Sequence, residues 1–331
     1  VDATGALTRA VAEFVGAHPA VGTDVCVGLS GGPDSLALVA CALRAGLSVQ
    51  ALIVDHRLQV GSGGVAAVAA EAARALGADA RVLDVEVGTE GGLEAAARTA
   101  RYAALDEARA GRAVLLAHTA DDQAETVLLG LARGSGARSI AGMRPWSPPW
   151  GRPLLGVRRP QTLAACAELG LRPHHDPHNR DPRFTRVRLR AEVLPLLDDV
   201  LHGGVVEALG RTASALQADN DALDALADDL AARAIIDDGP DSVAPEAVAP
   251  CLVALDTTGL YEAPAAVRTR VVRRWLIAVG ATEPTHRVIS AVDAQVLDAT
   301  SRAHVAIGGD PTARRVVVRS ANRLTVRLVE R

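Results

Sequence analysis

The first half of the chain switches repeatedly between two hydrophobic periods. Short runs of aliphatic and β-branched residues, 25-VCVGLS-30, 49-VQALIVD-55, 81-RVLDV-85 and 114-VLLAH-118, predict buried strands. Between and after them the spacing turns helical, over about 34–44, 65–76, 93–109 and from near Asp122 to the residue before Gly134. Strand and helix in alternation predict a parallel α/β sheet, whose ligands sit at the C-terminal ends of the strands. Ser30, Asp55 and His118 occupy such ends.

Pro145, Pro148, Pro149 and Pro153 punctuate the middle of the chain, and helices are expected near Thr162–Leu169 and Thr185–Leu197. The character changes after Gly203–Gly204, where a domain boundary is placed: residues 1–203 form the α/β domain and 204–331 a smaller, mainly helical one. A long helix is expected from there to about Ile236, then a break containing Pro and Gly, then helices over Ala265–Val279 and Thr285–Leu297. The tail, 314-RRVVVRSANRLTVRLVER-331, alternates around a Ser-Ala-Asn turn and predicts a terminal β-hairpin.

Composition narrows the class. The 331 residues are 49% hydrophobic and 22% charged, ordinary values for a water-soluble globular protein. No apolar run reaches the ~18–20 residues of a membrane span. No basic stretch followed by an apolar core is found near residue 1, so no signal peptide is expected. Cys26, Cys41, Cys166 and Cys251 are isolated, which argues against a zinc or dithiol motif and fits a reducing cytoplasm.

The net charge of -4 hides a segregation. Ten arginines face three acids between Arg144 and Arg190, whereas seven aspartates face Arg233 alone between Asp219 and Asp238. A local basic surface on an acidic chain is compatible with a docked polyanion, and equally with a compositional bias, since every one of the 35 basic residues is arginine.

The candidate chemistry begins at 30-SGGPDS-35, between the first strand and the first helix. Gly31 and Gly32 let backbone N–H groups approach a ligand. The helix behind them offers unpaired N–H groups and the positive end of its dipole. Pro33 suits a first-turn position, where no donor is needed. Ser30 and Ser35 carry hydroxyls, and Asp34 is best explained by a magnesium ion between carboxylate and phosphate. A Walker loop would use a lysine here, and this loop has none. The stretch resembles the PP-loop of the N-type ATP pyrophosphatases, which cleave ATP between the α and β phosphates and adenylate their substrate.

The second stretch is 118-HTADDQAETVLLGLARGSG-136, with Asp122 and Glu125 on one helical face near its start. Alone it reads as an acid-rich helix N-terminus. As a whole it resembles the HxxDDQxET…RGSG pattern of the tRNA(Ile)-lysidine synthetases. 93-LEAAARTARYAAL-105, 152-RPLL-155 and 176-DPHNRDPRFTRVRLRAEVLPLL-197 agree with that family in order. The resemblance covers about residues 22–200 and implies a parallel-sheet PP-loop domain.

The resemblance further implies an AMP-forming ligase. ATP adenylates the C2 oxygen of the wobble cytidine in the CAU anticodon of tRNA(Ile), and free L-lysine then attacks C2 and displaces AMP. Ser30, Gly31, Gly32, Pro33, Asp34 and Ser35 would hold the ATP phosphates, with Asp34 on Mg2+. Arg98 would contact ATP or the adenylate, His118 the reacting centre, and Asp122 and Glu125 the ammonium groups of lysine. Arg190, with Arg186 and Arg188, would face the adenylate or the RNA. In the C-terminal third, Arg268, Arg270, Arg273 and Arg274 are candidates for tRNA contact, and the acidic helix reads as solvated. Monomer and homodimer both stay open.

The chain departs from the pattern at Arg57 and Gln59, at Thr119 and at Val187. The 174-HHDPHN-179 cluster is a weak metal candidate, because Pro177 breaks helical ligand spacing. Two rival readings are a tRNA-thiolating PP-loop enzyme, which would need reactive cysteines, and a non-catalytic ATP-binding module.

Overall fold

The computed structural model describes residues 2–57, 61–88, 92–134, 136–174, 181–237, 253–308 and 314–329. Gln59, Ser135, residues 175–180, Cys251 and most of the Pro/Gly break before it lie outside them. The chain divides into two compact units, one ending at Leu216 and the other starting at Gln217.

The first unit is built on a six-stranded sheet of order β3-β2-β1-β4-β6-β5. Its strands are β1 (Asp24–Gly28), β2 (Ser48–Asp55), β3 (Asp79–Asp84), β4 (Ala113–Leu115), β5 (Trp146–Ser147) and β6 (Trp150–Gly151). All neighbours pair in parallel except β5 with β6. Side chains alternate between the faces as the pleat requires. Val25, Val27, Ala51, Ile53 and Leu115 join one core, and Cys26, Leu52 and Val114 the other. The first core is covered by α1 (Ala3–Ala17), α2 (Pro33–Arg44), α3 (Ser62–Ala75) and α7 (Arg159–Glu168). The second is covered by α4 (Leu93–Ala108) through Leu105 and Ala108.

Helix α1 was not among the expected elements, although Leu7, Val11 and Phe14 follow helical spacing and are buried. Asp2 caps it by accepting from Gly5 N–H at 2.7 Å. Glu168, at the far end of α7, accepts from the N–H groups of Ala3 and Thr4 and so ties the two helices together.

Strand order reverses between β1 and β4, so the loops leaving them diverge and open a crevice at their C-terminal ends. The loop after β1 leads into α2, and the loop after β4 into α5 (Ala120–Arg133). α6 (Ala137–Ile140) follows. A later helical run consists of α8 (Thr185–Arg188), a π turn over Leu189–Val193 and α9 (Leu194–Val200).

The second unit follows within α10 (Val205–Ala234). The long helix stops at Ala234, short of Ile236. The two isoleucines instead enter β7 (Ile235–Asp237), pairing antiparallel with β8 (Val253–Asp256), as suits β-branched residues facing Leu255 and Ala254. α11 (Ala265–Ala278) and α12 (His286–Leu297) match their expected spans. β10 (Arg314–Ser320) and β11 (Arg323–Val329) form the expected hairpin, turning at Ala321, which takes the positive φ of 51°. With β9 (Val305–Ile307) they complete a five-stranded sheet, so the unit is more β-rich than its helical pattern suggests. Trp275 is fully buried at its centre and donates to Val253 O at 3.3 Å. Among the described residues no helix is long and apolar enough to cross a membrane.

One close contact bears on the site. Gly130 on α5 lies so near the Ser139 carbonyl of α6 that a Cβ would collide with backbone. Gly130→Ala is therefore expected to lower stability by about 1–3 kcal/mol, read by chemical denaturation. An unchanged denaturation midpoint would show that the α5–α6 packing is looser than this.

Candidate active site

The crevice holds a cavity of about 500 Å³ at the mouth of β1 and β4. One wall is the expected loop. Gly31 takes a φ of +80°, and a Cβ there would lie 3.3 Å from that of Ala69, so glycine is required on both counts. Gly32 is the N-cap of α2 and has no side-chain capping bond, with Pro33 next. The first N–H groups of α2 are thereby left available. Ser30 and Ser35 hydroxyls lie 3.0 Å apart, and Ser30 Oγ accepts from Gly32 N–H at 3.4 Å. Cys166 Sγ donates to Pro33 O at 3.3 Å and fastens the loop to α7.

The opposite wall comes from α5. Thr119 is its N-cap and forms a reciprocal capping box with Asp122: its hydroxyl donates to Asp122 Oδ2 at 2.8 Å and accepts from Asp122 N–H at 3.4 Å. The unexpected threonine is thus the group that orients Asp122. Burial opposes the charge on Asp122, but Arg159 and the Thr119 bonds outweigh it and hold the carboxyl below its usual range. Glu125, one turn on, is 0% exposed. Burial pushes its carboxyl up, against Arg190, and its Oε2 is buried without a hydrogen-bond partner. Burial also pushes His118 down to about 3, so its ring is neutral at ordinary pH.

Several of the expected residues converge here, Arg190 and Arg186 among them. Arg190 sits in the π turn, a local distortion that re-aims side chains. Its Nε donates to Glu125 Oε1 at 2.7 Å, and its Nη2 lies 3.6 Å from Asp122 Oδ1. Arg186 Nη1 stands 3.6 Å from Glu125 Oε2. Arg188 is exposed and pairs with Glu192. Asp34 does not stand free for a metal: Arg159 Nε donates to it at 3.1 Å and the Thr162 hydroxyl bonds its other oxygen. Burial lifts the Asp34 carboxyl despite these partners.

Two arginines of the site escaped the sequence reading. Arg159 bridges Asp34 and Asp122. Arg101 lines the main cavity, an adjoining one of about 440 Å³ beside β2, and a recess of about 170 Å³. Arg101 lies inside 93-LEAAARTARYAAL-105, but the sequence could not say which of its arginines turns inward. Arg98, the one expected, is exposed, donates to Tyr102 Oη at 3.2 Å, and lines only the recess, with His56 and His118.

In the second unit the acidic helix is less solvated than expected. Arg268 is buried against Asp293 at 2.6 Å, and Arg270 pairs with Asp224 at 2.9 Å. Arg274 lies 2.9 Å from Asp228. Arg273 makes no ion pair among the described residues.

Comparisons with known proteins bear on both units. Residues 5–197 match the PP-loop domain family, and residues 255–325 the TilS substrate binding domain. A tRNA(Ile)-lysidine synthase of Nocardia farcinica is 56% identical over 97% of each chain. One of Rhodococcus erythropolis is 54% identical over 93% of this chain and 90% of its own. One of Mycobacterium tuberculosis is 55% identical over 96% of this chain and 94% of its own. With the PP-loop, the carboxylate pair and both matched domains along one chain, this protein belongs to the tRNA(Ile)-lysidine synthase family.

Proposed function

We propose that the protein ligates free L-lysine to C2 of the wobble cytidine in the CAU anticodon of tRNA(Ile), consuming ATP and releasing AMP and pyrophosphate. The observation that carries this reading is the pairing across one cavity of a phosphate-type loop with Asp122, backed one turn on by the buried Glu125. Phosphate chemistry alone gives no reason for Asp122 and Glu125, whereas an incoming ammonium needs them. Oε2 of Glu125, which accepts no hydrogen bond and faces Arg186 only at ion-pair distance, suits such a donor.

In the first step the C2 oxygen attacks the α-phosphorus and pyrophosphate leaves. Ser30, Gly31, Gly32, Pro33 and Ser35 shape the cradle, and the α2 N–H groups neutralise the leaving charge. Arg101 faces the phosphate, while Arg98 and His118 border the recess beside the reacting centre. In the second step an amine of lysine attacks C2 and AMP leaves. Glu125, with its raised carboxyl, suits the proton given up by that amine better than His118 does. Asp122 holds an ammonium group. Arg190 and Arg186 stand at the carboxylates, positioned for adenylate or RNA. Arg188, Arg273 and Arg274 are assigned to RNA phosphates.

Magnesium would take Asp34, a hard oxygen ligand at the head of the loop, once Arg159 and Thr162 give up its oxygens, and there it would screen the phosphate charge. Among the described residues no group of three His, Cys, Asp or Glu side chains could hold it alone, so phosphate and water would complete its shell. The reaction places the protein in the cytoplasm with its tRNA.

The test is transfer of radiolabelled lysine to isoleucine tRNA bearing CAU, with a control transcript carrying uridine at the wobble position. Label on the first RNA alone is expected. AMP release without label would move the assignment to another nucleophile, and absence of AMP release would leave an ATP-binding module.

A further inference from the structure

Arg159 joins the two halves of the cavity. Its Nε holds Asp34 Oδ2 at 3.1 Å, at the head of the phosphate loop. Its Nη2 holds Asp122 Oδ1 at 2.7 Å, in the carboxylate pair. Its Nη1 is buried with no hydrogen-bond partner and stands 4.0 Å from Glu125 Oε1. A planar guanidinium can span two carboxylates in this way, whereas an ammonium is a single point charge. The side chain is also fixed from behind, because its own backbone N–H donates to Asp121 Oδ2 at 2.8 Å and Arg158 grips the same carboxylate.

Such a bridge has a consequence for binding order. An arriving ammonium group must take Asp122 from Arg159, and while no anion is nearby the guanidinium has only carboxylates to hold. A triphosphate on the loop offers it a replacement partner inside the same cavity, whose wall includes Asp34, Asp122 and Arg159. Lysine is not needed until the cytidine has been adenylated.

We propose that Arg159 is a positioning residue that covers the lysine carboxylates until nucleotide phosphate draws it away, so that lysine binds productively only after ATP. The proposal rests on Asp122 and Glu125 being the lysine site. It requires the affinities of nucleotide and lysine to be coupled, each raising the other by the same factor.

Equilibrium dialysis of radiolabelled lysine against the full-length protein tests it, with and without α,β-methylene-ATP and magnesium. That analogue cannot be cleaved at the reacting bond, so the readout is independent of turnover. In the unmodified protein the analogue is expected to tighten lysine binding by about tenfold. Arg159→Gln should bind lysine equally with and without analogue, and more tightly than the unmodified protein does without it. Arg159→Lys keeps the charge but cannot span both carboxylates, so it should fold normally and lose most of the coupling. A purely structural arginine would lower both affinities and leave their ratio untouched. Lysine binding that ignores the analogue in the unmodified protein overturns the role of Arg159 while leaving the lysine site standing. No lysine binding in any state, tRNA included, overturns both.

Discussion

Glu125→Gln is expected to leave tRNA-dependent AMP formation intact while raising the lysine concentration needed for ligation by about 100-fold. Glutamine keeps the shape of a side chain that is 0% exposed, so packing on α5 is preserved. What is lost is the charge that Arg190 holds at 2.7 Å and that would receive the amine. Removing one partner of a buried, hydrogen-bonded charge pair costs about 2–5 kcal/mol, and a factor of 100 lies near the lower part of that range. The separation of the two steps is the informative part. A variant that lost both steps equally would place Glu125 with the phosphate machinery rather than with lysine.

The pH dependence follows from the same carboxyl. Burial raises its pKa, so the native state holds this proton more tightly than the unfolded chain does. The stability it contributes is full below the ordinary glutamate value and is lost as pH rises through the raised one. Wherever Glu125 is ionised it is therefore a cost to the fold, which its proposed role at lysine would explain. Lysine affinity should fall as the pH drops through the raised pKa. Glutamine should abolish that acid limb without lowering the thermal midpoint at pH 7.

How much of this was legible in the sequence depends on what each feature encodes. Period and turn chemistry are local, so β1, the loop and α2 could be read directly from 25-VCVGLSGGPDS-35. Asp122 and Glu125 share a face by helical spacing alone. Ile235–Ile236 continued a helical pattern and could not announce their partner, because Leu255 lies across a sequence gap that only tertiary pairing closes. Long-range charge pairing was also hidden. Arg158 and Arg159 are neighbours in sequence, yet one grips Asp121 and the other Asp34 and Asp122, since consecutive helical residues point about 100° apart. The acidic run of α10 looked solvated because its partners Arg270 and Arg274 lie far along the chain, Arg270 being 46 residues beyond Asp224.

Arg101 illustrates the same limit and carries the largest expected loss. Arg101→Met should lower adenylation by about 10²–10³-fold, measured as tRNA-dependent AMP release, the range seen when one donor to a developing oxyanion is removed. Arg98→Ala should cost far less, since Arg98 leans on Tyr102 with its guanidinium 4.8 Å from the ring centre and does not line the main cavity. The surroundings of Arg101 set it apart. Burial depresses its pKa, and the charged groups bearing on it are Tyr102 and a second cation, Arg98; no carboxylate compensates it among the described residues. Gly28 lies beside it: a Cβ there would press on Leu116 at 3.0 Å and make ordinary contact with Arg101 Nη2 at 3.6 Å. A guanidinium kept half-buried at the junction of three cavities without an acid is a cation awaiting an anion. Because a lowered arginine pKa marks a destabilised cation, methionine should fold at least as stably as the original. An Arg101→Met protein that loses both its melting transition and its activity would mark the residue as structural. One that melts normally and cannot release AMP would assign the phosphate to Arg101.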